Sequence, residues 1–245
     1  MKERTYTMNV LAIGNSFSQD AARYLHGIAA ADGTALTVVN LYIGGCSLER
    51  HRQNLEADAR AYSLEFNGES TGFAVSIREA LAARKWDVVT VQQASHFSNN
   101  FDTYEPGLSA LAAAVRAACP DAKLFVHETW AYEEGSSRLR DMMHYDTQDR
   151  MFADVKAAYE KAAEAIHADG MIRAGEAFQT LFHLNLKPYQ RDTFHASFGL
   201  GRYVLGLLWY RTLTGRAVTG NGFRAFDEPI DESLVRRVQA VVDAT

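Results

Sequence analysis

Short apolar runs alternate with segments of helical period along this chain. Five runs are β-branched or continuously apolar, as buried strands are; they cover residues 8–13, 35–41, 86–92, 123–127 and 171–174. Between them, apolar residues recur at the three- and four-residue spacing of amphipathic helices; the clearest segments are 18–31, 106–118 and 149–168. Residues 60–73 alternate weakly and contain two glycines, which predicts a small hairpin.

Alternation of strands and helices predicts an α/β protein in which helices cover both faces of a central parallel sheet of about five strands. A chain of 245 residues is expected to form a single domain over residues 1–245. Right-handed crossovers bring the loops that follow the strands to one edge of the sheet. Those loops carry the polar residues, so we expect a functional site at that edge.

Composition narrows the classes of function. The formal net charge of −5 and the lack of a basic stripe argue against a nucleic-acid partner. No apolar run is long enough to span a bilayer, and the polar start lacks the apolar core of a signal peptide. We therefore expect a cytoplasmic protein without a membrane partner, although an exported protein whose leader had been removed would have the same sequence. The sequence has no zinc-ligand spacing and predicts neither a metal nor a cofactor.

The first strand ends at the sequence G-N-S-F-S, residues 14–18, where a helical segment begins. This places Ser16 at the carboxyl end of a buried strand, where open α/β sheets bind ligands. Much later in the sequence, Asp192 and His195 are three residues apart, which predicts neighbouring side chains on one helical turn. A serine, a histidine and an aspartate are the components of an activated nucleophile. Each motif alone is weak, since turns and helix starts use the same residues.

Four blocks, in order, resemble the SGNH, or GDSL-like, hydrolase superfamily. G-N-S-F-S is similar to the first block, with asparagine in place of the usual aspartate, and D-T-F-H at 192–195 is similar to the last. The resemblance implies a flavodoxin-like three-layer α/β/α sandwich with Ser16 as nucleophile, His195 as base and Asp192 as acid. It also implies that Gly45, after the second strand, lines an oxyanion hole together with the amide of Ser16.

The third block departs from the family pattern. The family ends this strand with G-x-N-D, whereas Q-Q-A-S-H stands here at residues 92–96. Alignment of the strands places His96 at the asparagine position, while Gln92 carries a side-chain amide that donates at any pH. Both residues are therefore candidates for the third oxyanion donor.

Four polar or aromatic residues near the expected edge are candidates for substrate contact: Asn15, Ser95, His127 and Trp130. Core packing is an equal interpretation for His127 and Trp130. Cys46, beside Gly45, is expected to be a small packed residue, and a reactive thiol is the alternative.

The resemblance implies a serine esterase that acts on a small-molecule ester and removes acetyl groups from carbohydrate. Two alternatives remain open: a non-catalytic carbohydrate- or ligand-binding module on the same fold, and an acyltransferase. An α/β-hydrolase is disfavoured, because that fold places its serine in a G-x-S-x-G turn near the middle of the sequence, with acid and base far apart.

Overall fold

The computed structural model describes residues 7–245. Its centre is one seven-stranded sheet with the strand order β4-β3-β2-β1-β5-β6-β7. The strands are β1 Met8–Gly14, β2 Leu36–Tyr42, β3 Tyr62–Phe66, β4 Glu69–Val75, β5 Val88–Val91, β6 Lys123–Glu128 and β7 Gly170–Arg173. The five neighbouring strands β2, β1, β5, β6 and β7 run parallel to one another. Strands β3 and β4 form an antiparallel hairpin that pairs with the edge of β2. The predicted five-stranded parallel sheet is confirmed, and the predicted hairpin extends it.

Helices and two single turns connect the strands. The helices are α1 Ser16–Ala22, α2 Leu25–Ala31, α3 Leu48–Glu56, α4 Ile77–Ala82, α5 Gly107–Ala118, α6 Gln148–Ala165, α7 Ala174–His183, α8 Leu200–Thr214 and α9 Glu232–Ala244. A 3₁₀ turn spans Phe101–Thr103 and a π-helical turn spans Arg138–Met142. Among residues 7–245, no helix combines the length and apolar character needed to cross a membrane.

The apolar runs form strands because both faces of the sheet are covered. Residues 10–13 of β1 and all four residues of β5 are buried. The helix α8 is buried along most of its length, including both Trp209 and Tyr210, and it contacts α1, α2 and α9. Burial on all sides explains why its sequence is apolar all round rather than amphipathic.

The predicted helix over residues 18–31 is instead two helices, α1 and α2, separated by Arg23 and Tyr24. Tyr24 is buried, and its hydroxyl accepts the Asp227 amide hydrogen at 2.6 Å. This tertiary packing overrides the helical period of the sequence, which does not reveal a break.

The strand β1 lies between β2 and β5; the chain builds the sheet from β1 toward β4 on one side and then returns to place β5, β6 and β7 on the other. Such a reversal opens a crevice at the carboxyl ends of the strands. Ser16 follows β1 directly at that point, and the loops after β2 and β5 flank it.

Candidate active site

Ser16 is the first residue of α1 and follows the turn at Asn15. The Asn15 side chain caps the helix, since its Oδ1 accepts the Phe17 amide hydrogen at 3.0 Å. Ser18 completes the cap, because its hydroxyl accepts the Asn15 amide hydrogen at 3.1 Å. This capping box fixes the turn and holds Ser16 at the edge of the sheet.

The structure brings Ser16 and His195 into contact. The distance from Ser16 Oγ to His195 Nε2 is 2.8 Å, and that from His195 Nδ1 to Asp192 Oδ2 is 2.7 Å. Both distances are within hydrogen-bonding range. A hydroxyl, an imidazole and a carboxylate in this sequence of contacts can transfer a proton from the hydroxyl to the ring.

The backbone from Asp192 to His195 differs from the predicted helical turn. It forms a bend in which Thr193 has a positive φ of 72°, and α8 begins only at Leu200. Asp192 Oδ1 accepts the His195 amide hydrogen at 2.9 Å, so the carboxylate binds both the backbone and the ring of the same residue. The predicted side-chain contact is present, but a side-chain-to-backbone turn rather than a helix produces it.

The environment of Asp192 favours its charged form. Partial burial acts to raise the pKa of this carboxyl group, but hydrogen bonds from the ring and the amide of His195 outweigh it. The pKa of Asp192 is therefore held below its ordinary value. A charged Asp192 accepts from Nδ1–H and leaves Nε2 free to accept the proton of Ser16.

A cleft of about 400 Å³ opens beside Ser16 and His195. Its walls come from the turns after β1, β2 and β5, from the 138–142 turn and from the segment around His195. The lining residues are Asn15, Ser16, Phe17, Gln19, Tyr42, Gly44, Gly45, Ser95, His96, Tyr132, Arg138, Met142, Arg191, Phe194 and His195. Its volume lies in the range of small-molecule sites.

Gly44 and Gly45 form the cleft wall after β2. The turn is closed by the Cys46 amide, which donates to the Ile43 carbonyl at 3.2 Å. Gly45 has a φ of 61°, in the left-handed region that favours glycine, whereas Gly44 does not have a positive φ. The predicted oxyanion residue thus lies at the cleft with a backbone that only glycine adopts without strain.

Gln92 is not among the cleft-lining residues. It is buried, and its Nε2 donates to Asn15 Oδ1 at 2.7 Å while its Oε1 bonds to His127 Nδ1 at 2.7 Å. Asn15 Nδ2 in turn donates to the Cys46 carbonyl at 3.1 Å. Gln92 therefore connects β5 to β6 and to the turn that carries Ser16, and one of its two amide N–H donors is bonded to Asn15.

His96 and Ser95 both line the cleft. Burial lowers the pKa of His96, which favours the neutral ring with one N–H. Ser95 Oγ lies 2.9 Å from the Tyr132 hydroxyl. Of the two candidates for the third oxyanion donor, the structure brings only His96 to the cleft.

His127 and Trp130 are fully buried and do not line the cleft. Burial lowers the pKa of His127 to about 3, so the ring stays neutral at ordinary pH. Trp130 stacks on Phe17 at 4.1 Å between ring centroids, and its indole N–H donates to the Phe194 carbonyl at 2.7 Å. Both residues are therefore packed in the core, in agreement with the packing interpretation. Trp130 packs against Phe17, which lines the cleft.

Comparison with known proteins places this geometry in a family. A family model described as "Domain of unknown function (DUF4886)" matches residues 9–241. The chain belongs to the DUF4886 family. A crystal structure of a DUF4886 family protein from Bacteroides uniformis is 35% identical, with a TM-score of 0.89 over 98% of this chain and 94% of that one. No curated protein matches the sequence at a significant level.

More distant structures show the fold of this DUF4886 protein. A proposed SGNH hydrolase from Slackia heliotrinireducens is 23% identical, with a TM-score of 0.62 over 85% of this chain and 100% of that one. Axe2, an acetylxylan esterase from Geobacillus stearothermophilus, is 15% identical, with a TM-score of 0.51 over 86% and 94%. The SGNH-like α/β fold implied by the sequence resemblance is confirmed.

Cys46 of the DUF4886 protein is buried and has no thiolate character. Burial raises the pKa of its thiol to about 12. Its Sγ lies 3.6 Å from Nδ1 of His51, but burial also lowers the pKa of that ring to about 3. A neutral ring does not stabilise a thiolate, so the packed-residue interpretation of Cys46 agrees with its surroundings.

Among the cleft residues that sequence reasoning missed are Arg138, Met142, Arg191 and Phe194. Arg138 and Met142 lie in the π-helical turn, between β6 and α6. The irregular hydrophobic pattern of that segment does not indicate which side chains turn inward. Phe194 lies inside the D-x-x-H block, where only the acid and the base were given roles.

Within residues 7–245, no group of three or more His, Cys, Asp or Glu side chains is arranged to hold a metal ion. The polar side chains that line the cleft carry hydroxyl, imidazole, amide and guanidinium groups.

Proposed function

We propose that the protein is a serine ester hydrolase in which Ser16 is the nucleophile, His195 the general base and Asp192 the acid. The observation that supports this most directly is the continuous pair of contacts from Ser16 Oγ to His195 at 2.8 Å and from His195 to Asp192 at 2.7 Å. These contacts lie at the mouth of a cleft that suits a small molecule.

In the proposed reaction, Ser16 Oγ attacks the ester carbonyl while His195 Nε2 takes its proton. Asp192 stabilises the resulting imidazolium and holds the ring tautomer. Collapse of the tetrahedral intermediate breaks the bond to the alcohol, which leaves with the proton from His195. Water then attacks the acyl-serine by the same route and releases the acid and free Ser16.

The negative oxygen of the intermediate needs hydrogen-bond donors. The amide of Ser16, at the first position of α1, has no partner inside the helix, and Gly45 lines the same cleft. We assign the third donor to the neutral ring of His96, since the Gln92 amide is bonded to Asn15. One such donor typically contributes about 3–4 kcal/mol to the transition state.

Acetylated carbohydrate is the substrate class that we propose first. The SGNH-like fold is shared with Axe2, which is described as an acetylxylan esterase. Among the cleft-lining residues, Tyr42, Ser95 and Gln19 supply polar groups of the kind that bind sugar hydroxyls.

The experiment compares wild type with Ser16→Ala on an aryl acetate and on a panel of acetylated sugars. Wild type should hydrolyse the aryl ester and at least one sugar, and Ser16→Ala should lose about 10³-fold or more in kcat with an unchanged melting temperature. A fluorophosphonate should label Ser16 of wild type only. Activity retained by the folded Ser16→Ala protein would remove the nucleophile assignment.

The same assays distinguish the two alternatives. A binding module would bind acetylated sugars without turnover and without labelling by the fluorophosphonate. An acyltransferase would be labelled, but it would form an acylated sugar when donor ester and sugar acceptor are both present. Product analysis by mass spectrometry separates that outcome from hydrolysis.

A further inference from the structure

Arg138 lines the cleft together with the turns after β1 and β2. It lies in the π-helical turn Arg138–Met142, and its guanidinium carbon is 4.1 Å from the centroid of the Phe194 ring. The side chain is half-buried. Stacking on an aromatic face restrains a guanidinium while its N–H groups stay available at the edge.

This guanidinium has no carboxylate partner among the residues that the structure describes. The contrast with Arg191, the other cleft arginine, is clear, because Arg191 Nη1 donates to the buried carboxylate of Asp20 at 2.9 Å. The fifteen residues that line the cleft include two arginines and no aspartate or glutamate. Arg138 therefore brings to the cleft a positive charge with which no carboxylate of residues 7–245 is paired.

The charge is close to the proposed chemistry. The ring centroid of Phe194, under the guanidinium, is 3.8 Å from the ring centroid of His195. The guanidinium of Arg138 and the imidazole that contacts Ser16 thus both lie against the Phe194 ring. A substrate whose ester carbonyl is at Ser16 needs to be only a few bonds long to reach Arg138.

We propose that Arg138 binds a carboxylate on the substrate, so that the preferred esters are those of acidic rather than neutral molecules. This inference rests on the proposed hydrolase function and deepens it. A guanidinium offers parallel N–H donors that match the two oxygens of a carboxylate. Restraint by Phe194 lowers the entropy lost when the pair forms.

The test uses two acetyl esters that differ in charge. para-Acetoxybenzoate carries a carboxylate, and para-acetoxybenzamide replaces it with a neutral amide of nearly the same shape. Wild type should favour the anionic ester in kcat/KM by about 10-fold or more, the usual range for a hydrogen bond to a charged group. In Arg138→Gln this preference should disappear, and in Arg138→Lys part of it should remain.

Arg140→Gln is the matched control. Arg140 is in the same turn and carries the same charge, but it is exposed and does not line the cleft. This variant should keep the wild-type preference for the anionic ester. Equal loss of preference in both variants would show a long-range charge effect and would overturn the assignment of Arg138.

The remaining outcomes are also decisive. If Arg138→Gln slows both esters equally, Arg138 serves only to pack Phe194 and the inference fails while the hydrolase stands. If wild type hydrolyses neither ester, the proposed function is in question, and binding of the products then tests the inference alone. In that case, Ser16→Ala should bind para-hydroxybenzoate at least about 10-fold more tightly than para-hydroxybenzamide, and the double variant with Arg138→Gln should not.

Discussion

Asp20 and Arg191 join the helix that carries Ser16 to the segment that carries Asp192 and His195. Asp20 is fully buried in α1, and its Oδ2 accepts from Arg191 Nη1 at 2.9 Å. Its other oxygen accepts from Arg202 Nε at 2.8 Å. Burial raises the pKa of Asp20, while the two guanidinium groups oppose that rise. The pair therefore fixes the position of the serine relative to the base.

Arg191→Gln and Arg202→Gln each remove one partner of Asp20, so both should lower the free energy of unfolding by about 1–3 kcal/mol. Only Arg191 adjoins Asp192, so Arg191→Gln should also lower kcat by about 10-fold on a neutral aryl acetate. Thermal unfolding and steady-state kinetics measure the two effects. Equal kcat values in the two variants would contradict a positioning role for Arg191.

The two glycines after β2 form a natural pair of test and control. Gly45→Ala places a side chain at a φ of 61° and should cost about 1 kcal/mol in stability, with a fall in kcat as the amide shifts. Gly44→Ala introduces a Cβ at ordinary contact distance, 3.4 Å from the Tyr42 hydroxyl, and without a positive φ. It should therefore change kcat less. A larger kcat loss in Gly44→Ala would show that the oxyanion amide is not that of Gly45.

His96→Ala and Gln92→Ala should fail in different ways. His96 lines the cleft, so its loss should reduce kcat by about 10²-fold to 10³-fold with little change in melting temperature. Loss of Gln92 leaves the buried Nδ1 of His127 without a partner and removes one of the two hydrogen bonds to Asn15 Oδ1, so it should lower stability by about 1–3 kcal/mol. Kinetics and calorimetry on both proteins decide the assignment. Unchanged kcat in His96→Ala would remove this residue from the oxyanion hole.

Glu128 predicts a pH dependence of stability. It is buried at the end of β6, and burial raises its pKa from 4.5 to about 8, although amide hydrogen bonds from Glu176 and Gly175 oppose this. A carboxyl with a raised folded pKa stays protonated in the fold. Its contribution to the stability of the fold is complete at pH values below the pKa of the unfolded chain, near 4.5. That contribution is lost as the pH rises toward 8, the pKa in the folded protein.

Glu128→Gln keeps an oxygen that can accept from the Glu176 amide and removes the titration. The variant should lose less stability than wild type between pH 5 and pH 8, by on the order of a few kcal/mol. Denaturant unfolding at the two pH values measures this difference. The exposed Glu164→Gln serves as the control and should follow wild type. Parallel pH profiles for all three proteins would refute the buried titration of Glu128.

The placement of Ser16 was predictable because its determinants are local. An apolar strand, a capping asparagine and a helix follow one another within residues 8–22. The contact between Asp192 and His195 was also predicted, but its backbone was not. A three-residue spacing fits both a helical turn and the observed bend. The sequence does not indicate the positive φ of Thr193, because β-branched residues rarely adopt that conformation.

The role of Gln92 could not be predicted in the same way. Its partners, Asn15 and His127, are 77 and 35 positions away. A polar residue at the end of a buried strand can point into a site or bond within the core, and only tertiary structure decides between them. Arg138 was missed for the same reason, since its significance lies in its contact with Phe194 and in the lack of a partner carboxylate among residues 7–245.

The long separation of Ser16 and His195 in sequence, 179 positions, has a consequence for biosynthesis. On the ribosome, Ser16 emerges before His195 and remains without that partner until a further 179 residues have been made. Under the proposed function, a fragment that stops before residue 195 lacks the general base and should not react with esters. Activity would then begin only when residues 192–195, followed by α8, have packed beside the end of β1.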